Sequence, residues 1–131
     1  MNRKAKGTRA ERDLIHKFNN NGWVAIRTAG SGSSQWPAPD IMAGNAMRRV
    51  AIECKTSKQP SKYIPACDID QIKHFSDKFG AEAWVALKFD GYPWYFMMIE
   101  DLRFTGKSYA ANLELCKLRG LEFSHFIDRN L

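Results

Sequence analysis

The sequence predicts an α/β fold: a single domain with a mixed central β-sheet flanked by helices. Three observations predict it. The 131 residues, 44% hydrophobic and 26% charged, have the size and balance of one compact core. Apolar residues recur at helical spacing near the N-terminus and again after Asp68, with short apolar runs between and beyond them. The stretch from Asp40 to Lys55 alternates as a β-hairpin does.

Taken in order, Met1 to Gly7 reads as a flexible basic arm with Arg3, Lys4 and Lys6. It is either a frayed terminus or a contact for phosphate. Thr8 is placed to cap a helix from about Arg9 to Asn20, which Asn21-Gly22 ends. Ala10, Leu14, Ile15 and Phe18 form its apolar stripe, and Glu11 lies inside that stripe. A carboxylate there is either a first-turn acid favoured by the helix dipole or a group facing a polar pocket. The buried side of the stripe favours the pocket.

Trp23 to Arg27 reads as the first strand. Thr28 to Ala38 is a loop rich in glycine and serine, including Ser31 and Ser33, and it leads directly into Asp40. It lacks the terminal Gly-Lys-Ser/Thr of a phosphate-binding P-loop. Gly106-Lys107-Ser108 supplies that tripeptide, but Asp101 stands where the first glycine is needed.

Ile41 to Ala43 is a short strand, Gly44-Asn45 a turn, and Val50 to Lys55 the returning strand. Val50, Ile52 and Cys54 point one way; Ala51, Glu53 and Lys55 point the other. Asp40 stands at the end of the neighbouring strand, so two carboxylates and an ammonium converge on one sheet edge. Such carboxylates can bind Mg²⁺ together with waters and a substrate phosphate oxygen. The lysine can orient the attacking water or offset charge in the transition state. The plain alternative is a surface hairpin with alternating charges.

Thr56 to Ala66 reads as a polar loop carrying Lys58, Lys62 and Tyr63. Asp68 is placed to cap a helix through about Phe79, with Ile69, Ile72, Phe75 and Phe79 inward and Gly80 ending it. Ala83 to Phe89 is a strand covered on both faces, Asp90-Gly91 a turn, and Tyr92 to Ile99 the next strand. Phe96, Met97 and Met98 belong to the core or to an apolar subunit interface. Ser108 to Lys117 reads as a last helix, and the apolar tail from Gly120 has no assignment.

A formal net charge of +6 points to an anionic partner, nucleic acid first. Cys54, Cys67 and Cys116 are too few and too scattered for a disulfide framework or a zinc site. With no membrane-length apolar run and no signal-peptide core, a cytoplasmic, DNA-associated protein is expected.

The order helix with Glu11, strand, loop, Asp40, turn, Glu53-Cys54-Lys55, helix, strand, strand resembles the PD-(D/E)xK nuclease core of restriction enzymes. Pro39-Asp40 and Glu53-Cys54-Lys55 stand twelve residues apart. More closely, the chain resembles the archaeal-type Holliday junction resolvases. The stretches that carry this are Arg9-Ala10-Glu11-Arg12, Gly22 to Ser31, Pro39-Asp40-Ile41, Ile52 to Lys55, and Phe75 to Gly80 followed by Val85 to Phe89. The resemblance covers roughly residues 4 to 100 and implies a restriction-endonuclease-like core.

It implies a homodimer that binds four-way DNA junctions by structure and nicks two opposing strands with Mg²⁺, for which Mn²⁺ can substitute. By position it implies a metal site of Glu11, Asp40 and Glu53, with Lys55 catalytic. Arg12 and Arg27 would contact phosphate, and a serine of the Gly30 to Ser34 loop would lie near the scissile bond. Arg9, Lys58 and Lys62 complete the expected DNA contacts. Two rivals remain: another nuclease of this core, of restriction or fork/flap type, and a basic nucleic-acid-binding module without catalysis.

Overall fold

The fold is built on a five-stranded and a three-stranded sheet, which share one of two apolar cores. We describe a computed structural model over residues 3–28 and 36–129, with the side chains of residues 3–6 outside the description. The elements are α1 (Arg3–Asn19), β1 (Val24–Arg27), β2 (Ile41–Gly44), β3 (Arg49–Ser57), β4 (Ser61–Pro65), α2 (Ala66–Phe79), β5 (Glu82–Phe89), β6 (Trp94–Met98), β7 (Arg103–Phe104), β8 (Ser108–Asn112), α3 (Leu113–Arg119) and α4 (Phe123–Asp128). The main sheet runs β1-β2-β3-β5-β6, and a smaller one runs β4-β8-β7. Only β3 and β5 pair in parallel, so the main sheet is mixed. The parallel pair requires a crossover, and β4 with α2 supplies it.

Residue alternation sends the two faces of the main sheet to different cores. Val50, Ile52, Trp84, Ala86, Trp94 and Phe96 pack with Leu14 and Phe18 of α1 and Phe126 of α4. Val85, Leu87, Phe89, Tyr95 and Met97 pack with Ile69 of α2 and Ile64 of β4. Phe126 stacks on Phe96 at 4.1 Å between centroids and meets Trp84 edge-on at 4.9 Å. The tail left unassigned from sequence therefore closes the first core.

The β2–β3 hairpin forms as its residues dictate. The Asn45 side chain accepts the backbone N–H groups of Met47 and Arg48, both at 2.8 Å, and fixes the turn. The register pairs Ile41 with Ile52. Asp40 thus enters the sheet one step beyond, opposite Glu53.

Several expectations are corrected. α1 begins at Arg3, so from Arg3 on the backbone of the supposed arm is helical and Thr8 lies inside the helix without capping it. Lys4, Ala5 and Lys6 are good helix formers, which explains the extension. Thr56 to Ala66 is not a loop: β3 continues to Ser57, and Ser61–Pro65 is a strand held by β8. Ser108 to Asn112 is that strand β8, not helix, because it finds hydrogen-bonding neighbours on both sides. Asn112 then caps α3, its side chain accepting Leu115 N–H at 2.7 Å. Phe96 and Met97 are fully buried on opposite faces of β6, so they cannot form a subunit interface. Phe79, expected inward, is 55% exposed. Among the described residues, no helix is long and apolar enough to cross a membrane.

Candidate active site

The site forms where α1, the start of β2, the middle of β3 and the first turn of α2 meet. Asp40 is fixed from both ends of its residue. Thr28 N–H donates to the Asp40 carbonyl at 3.0 Å, and the Thr28 hydroxyl donates to the Pro39 carbonyl. The Asp40 carboxylate accepts Cys54 N–H at 2.8 Å. This bond ties the end of β2 to β3 at the point where their ladder stops.

Alternation along β3 aims Glu53 and Lys55 to the α2 side, as the pattern predicts. Lys55 Nζ lies 3.5 Å from Glu53 Oε2 and 2.8 Å from Asp68 Oδ2. Cys54 faces the α1 side. There its sulfur and carboxylate oxygens of Glu11 and Asp40 all lie within 4.8 Å of one another. Asp40 therefore stands between two groups of side chains, one on each side of the sheet edge. Glu11 reaches this edge from the core stripe of α1 and pairs with Arg27 of β1, Nε to Oε2, at 3.6 Å.

The electrostatics are those of acids crowded out of water. Burial raises the Glu11 carboxyl above its usual range, and the charge of Asp40 adds to this against the opposing Arg27. Burial also raises Asp40, although Cys54 N–H, Lys55 and a hydrogen bond with Glu53 oppose it. Glu53 is pushed up to about 8, by burial first and Asp40 second. Burial lowers the Lys55 ammonium, but the Asp68 hydrogen bond and the charges of Glu53, Asp68 and Asp40 outweigh it and raise it. Hard oxygen donors held together at such electrostatic cost fit a divalent cation, which would relieve their repulsion.

A stability prediction follows from Glu53. Its carboxyl titrates near 4.5 when free and about 8 when folded. Between these values the unfolded chain has released a proton that the folded chain keeps. The contribution of Glu53 to metal-free stability is therefore full below 4.5 and is lost as pH rises to about 8. Thermal melts in chelator, wild type against Glu53→Gln, should show this fall in the wild type and a smaller one in the variant.

The other expected residues are placed unevenly. Arg27 joins the site through Glu11. Arg9 and Arg12 are exposed on α1. Lys58 and Lys62, with Thr56 and Tyr63, line an open groove along the β3–β4 hairpin. Ser31 and Ser33 lie outside the described residues. Asp68 was read only as a helix cap. It is instead the third residue of α2, after Pro65 in the capping position, and its carboxylate is spent on Lys55. No spacing rule marks that contact, because β4 intervenes between the two residues.

A mixed sheet with this carboxylate–lysine edge defines a nuclease core of the PD-(D/E)xK class. Within it, the chain belongs to the archaeal Holliday junction resolvase (Hjc) family, whose profile it matches over residues 2–130. It is 42% identical over 127 residues to the crossover junction endodeoxyribonuclease Hjc of Archaeoglobus fulgidus, covering 92% of this chain and 93% of that one. The Methanocaldococcus jannaschii protein of the same name is 33% identical over 124 residues, covering 95% and 88%. The solved structure of the Archaeoglobus fulgidus protein, described as a Holliday junction resolvase, superposes with a TM-score of 0.85. That match has 41% identity and covers 92% of this chain and 98% of the other.

Proposed function

We propose that the chain is a single nuclease domain that cuts four-way DNA junctions by paired nicks in opposing strands, with Mg²⁺ as cofactor and Mn²⁺ as a substitute. The observation that carries this is Asp40 standing between Glu11 on one side of the sheet edge and the Glu53–Lys55 pair on the other, in a member of the resolvase family. Asp40 and Glu53 hold the metal from two strands, and Glu11 completes its acidic surround. When bound, the ion polarises a phosphate oxygen as a Lewis acid. Lys55, kept protonated by its acidic neighbours, orients the attacking water and offsets charge on the phosphate. Arg27 steadies Glu11 in the free protein and can turn to phosphate when DNA enters. Arg9, Arg12, Lys58 and Lys62 add backbone contacts, and one serine of the Gly30 to Ser34 loop, with Ser31 and Ser33 as candidates, contacts the DNA near the scissile bond.

Paired nicks need two sites related by symmetry, which a two-fold homodimer provides. Light scattering of the free protein should give twice the chain mass. DNA as substrate goes with a location inside the cell. The deciding assay incubates the protein with a synthetic four-way junction and a matched linear duplex, with and without Mg²⁺. Metal-dependent paired nicks in the junction alone are expected. Equal cutting of the duplex would favour a restriction-type or fork nuclease, and binding without cutting a non-catalytic module.

Glu11 is separately testable. It lies two turns inside α1, too far from the helix start to serve the dipole. Glu11→Gln should keep the fold and lower cleavage, with partial recovery at higher Mg²⁺ as a weakened site refills. A loss that no Mg²⁺ concentration changes would leave Glu11 only as the partner of Arg27.

A further inference from the structure

We infer that Asp68 is a positioning residue for Lys55, holding the lysine ammonium at the catalytic edge and acting on the reaction through it. This rests on the nuclease reading above. Lysine is a flexible four-carbon stem ending in a point charge, so its sequence position alone does not place its nitrogen. β3 aims Lys55 toward α2 but leaves its end to find a partner. The structure supplies two: Asp68 Oδ2 at 2.8 Å and Glu53 Oε2 at 3.5 Å. All three side chains are mostly covered, with 20%, 27% and 16% exposure for Lys55, Asp68 and Glu53.

The two partners differ in what else they must do. Glu53 is assigned to the metal, and an oxygen given to a cation is a poorer acceptor for an ammonium. Asp68 has no place in that assignment: it comes from α2, not from the strands that carry Asp40 and Glu53, and its carboxylate already accepts the Lys55 ammonium at 2.8 Å. It can therefore keep Lys55 in place while Glu53 is engaged. Its origin supports the same role. α2 starts directly at the end of β4, behind Pro65, whose side chain makes no cap. The third residue of that helix is thereby fixed against the middle of β3, and its carboxylate points back at the sheet.

The rival account is an acid in the first turn that only favours the helix dipole. Cleavage kinetics on a four-way junction separate the two. Asp68→Asn should lower kcat roughly 10- to 100-fold, the usual cost of losing an outer partner in such a site, with KM and melting temperature unchanged. Asp68→Glu should restore part of the loss. In a Lys55→Ala background, Asp68→Asn should cost nothing further, because its route to the reaction is gone. Full multiplication of the two losses, or a lowered melting temperature with unchanged kcat, would overturn the inference.

A second measurement needs no cleavage. In nitrogen-15 NMR of the metal-free protein, the Lys55 ammonium should give a slowly exchanging signal that Asp68→Asn abolishes. Retention of that signal in the variant defeats the role of Asp68 alone. A wild type that cuts no junction defeats the nuclease reading instead.

Discussion

Asp40→Asn is expected to lower junction cleavage by roughly 10³-fold or more, a loss of about 4 kcal/mol in transition-state stabilisation, while junction binding stays close to wild type. Asparagine retains the oxygen that accepts Cys54 N–H at 2.8 Å, so the joint between β2 and β3 survives. What disappears is the charge between the Glu11 and Glu53 sides of the edge, the residue best placed to hold a cation with either. DNA affinity should rest on lysines and arginines elsewhere, since phosphate contacts dominate it. Gel-shift titration beside single-turnover cleavage measures both. Near wild-type cutting by Asp40→Asn would sink the metal assignment.

Glu82→Ala is expected to have the largest effect on stability. Arg48 is buried in the first core, with 7% of its side chain exposed. Its guanidinium forks onto Glu82 at 2.9 and 3.0 Å, donates to the Phe126 carbonyl at 2.6 Å, and lies 4.9 to 5.2 Å from the Phe126 and Trp23 rings. Removing Glu82 leaves a buried cation without its counter-charge, which costs about 3–5 kcal/mol. For a domain of this size that lowers Tm by roughly 10–20 °C. Cleavage per folded molecule, measured well below the melt, should be unchanged, because Arg48 and Glu82 lie apart from the catalytic edge. A fall of only a few degrees would show that the pair is replaceable.

How much was legible depends on how local each feature is. The β2–β3 hairpin could be read because period-two alternation and an asparagine turn act over neighbouring residues. The same alternation put Glu53 and Lys55 on one face. The unusual place of Glu11 followed from helical spacing alone. Strand β8 was misread as helix because its apolar pattern is short, and its strand state comes from β4 and β7 on either side. The aromatic and methionine run at Phe96 to Met98 had the composition of an interface. Phe96 and Met97 lie inside because α4 and α3 pack on β6, while Met98 stays half-covered.

The sequence by itself determined the α/β class, the order of the elements that frame the edge, and the carboxylates and lysine brought to it. Hydrophobic period and turn chemistry are properties of adjacent residues and need no partner to be expressed. Tertiary structure alone decided that β5 pairs in parallel with β3, that Phe126 fills the first core, that Arg48 is buried against Glu82, and that Asp68 reaches Lys55. Each of these joins segments whose partners no local propensity encodes, and each is selected by burial and by the satisfaction of buried charge.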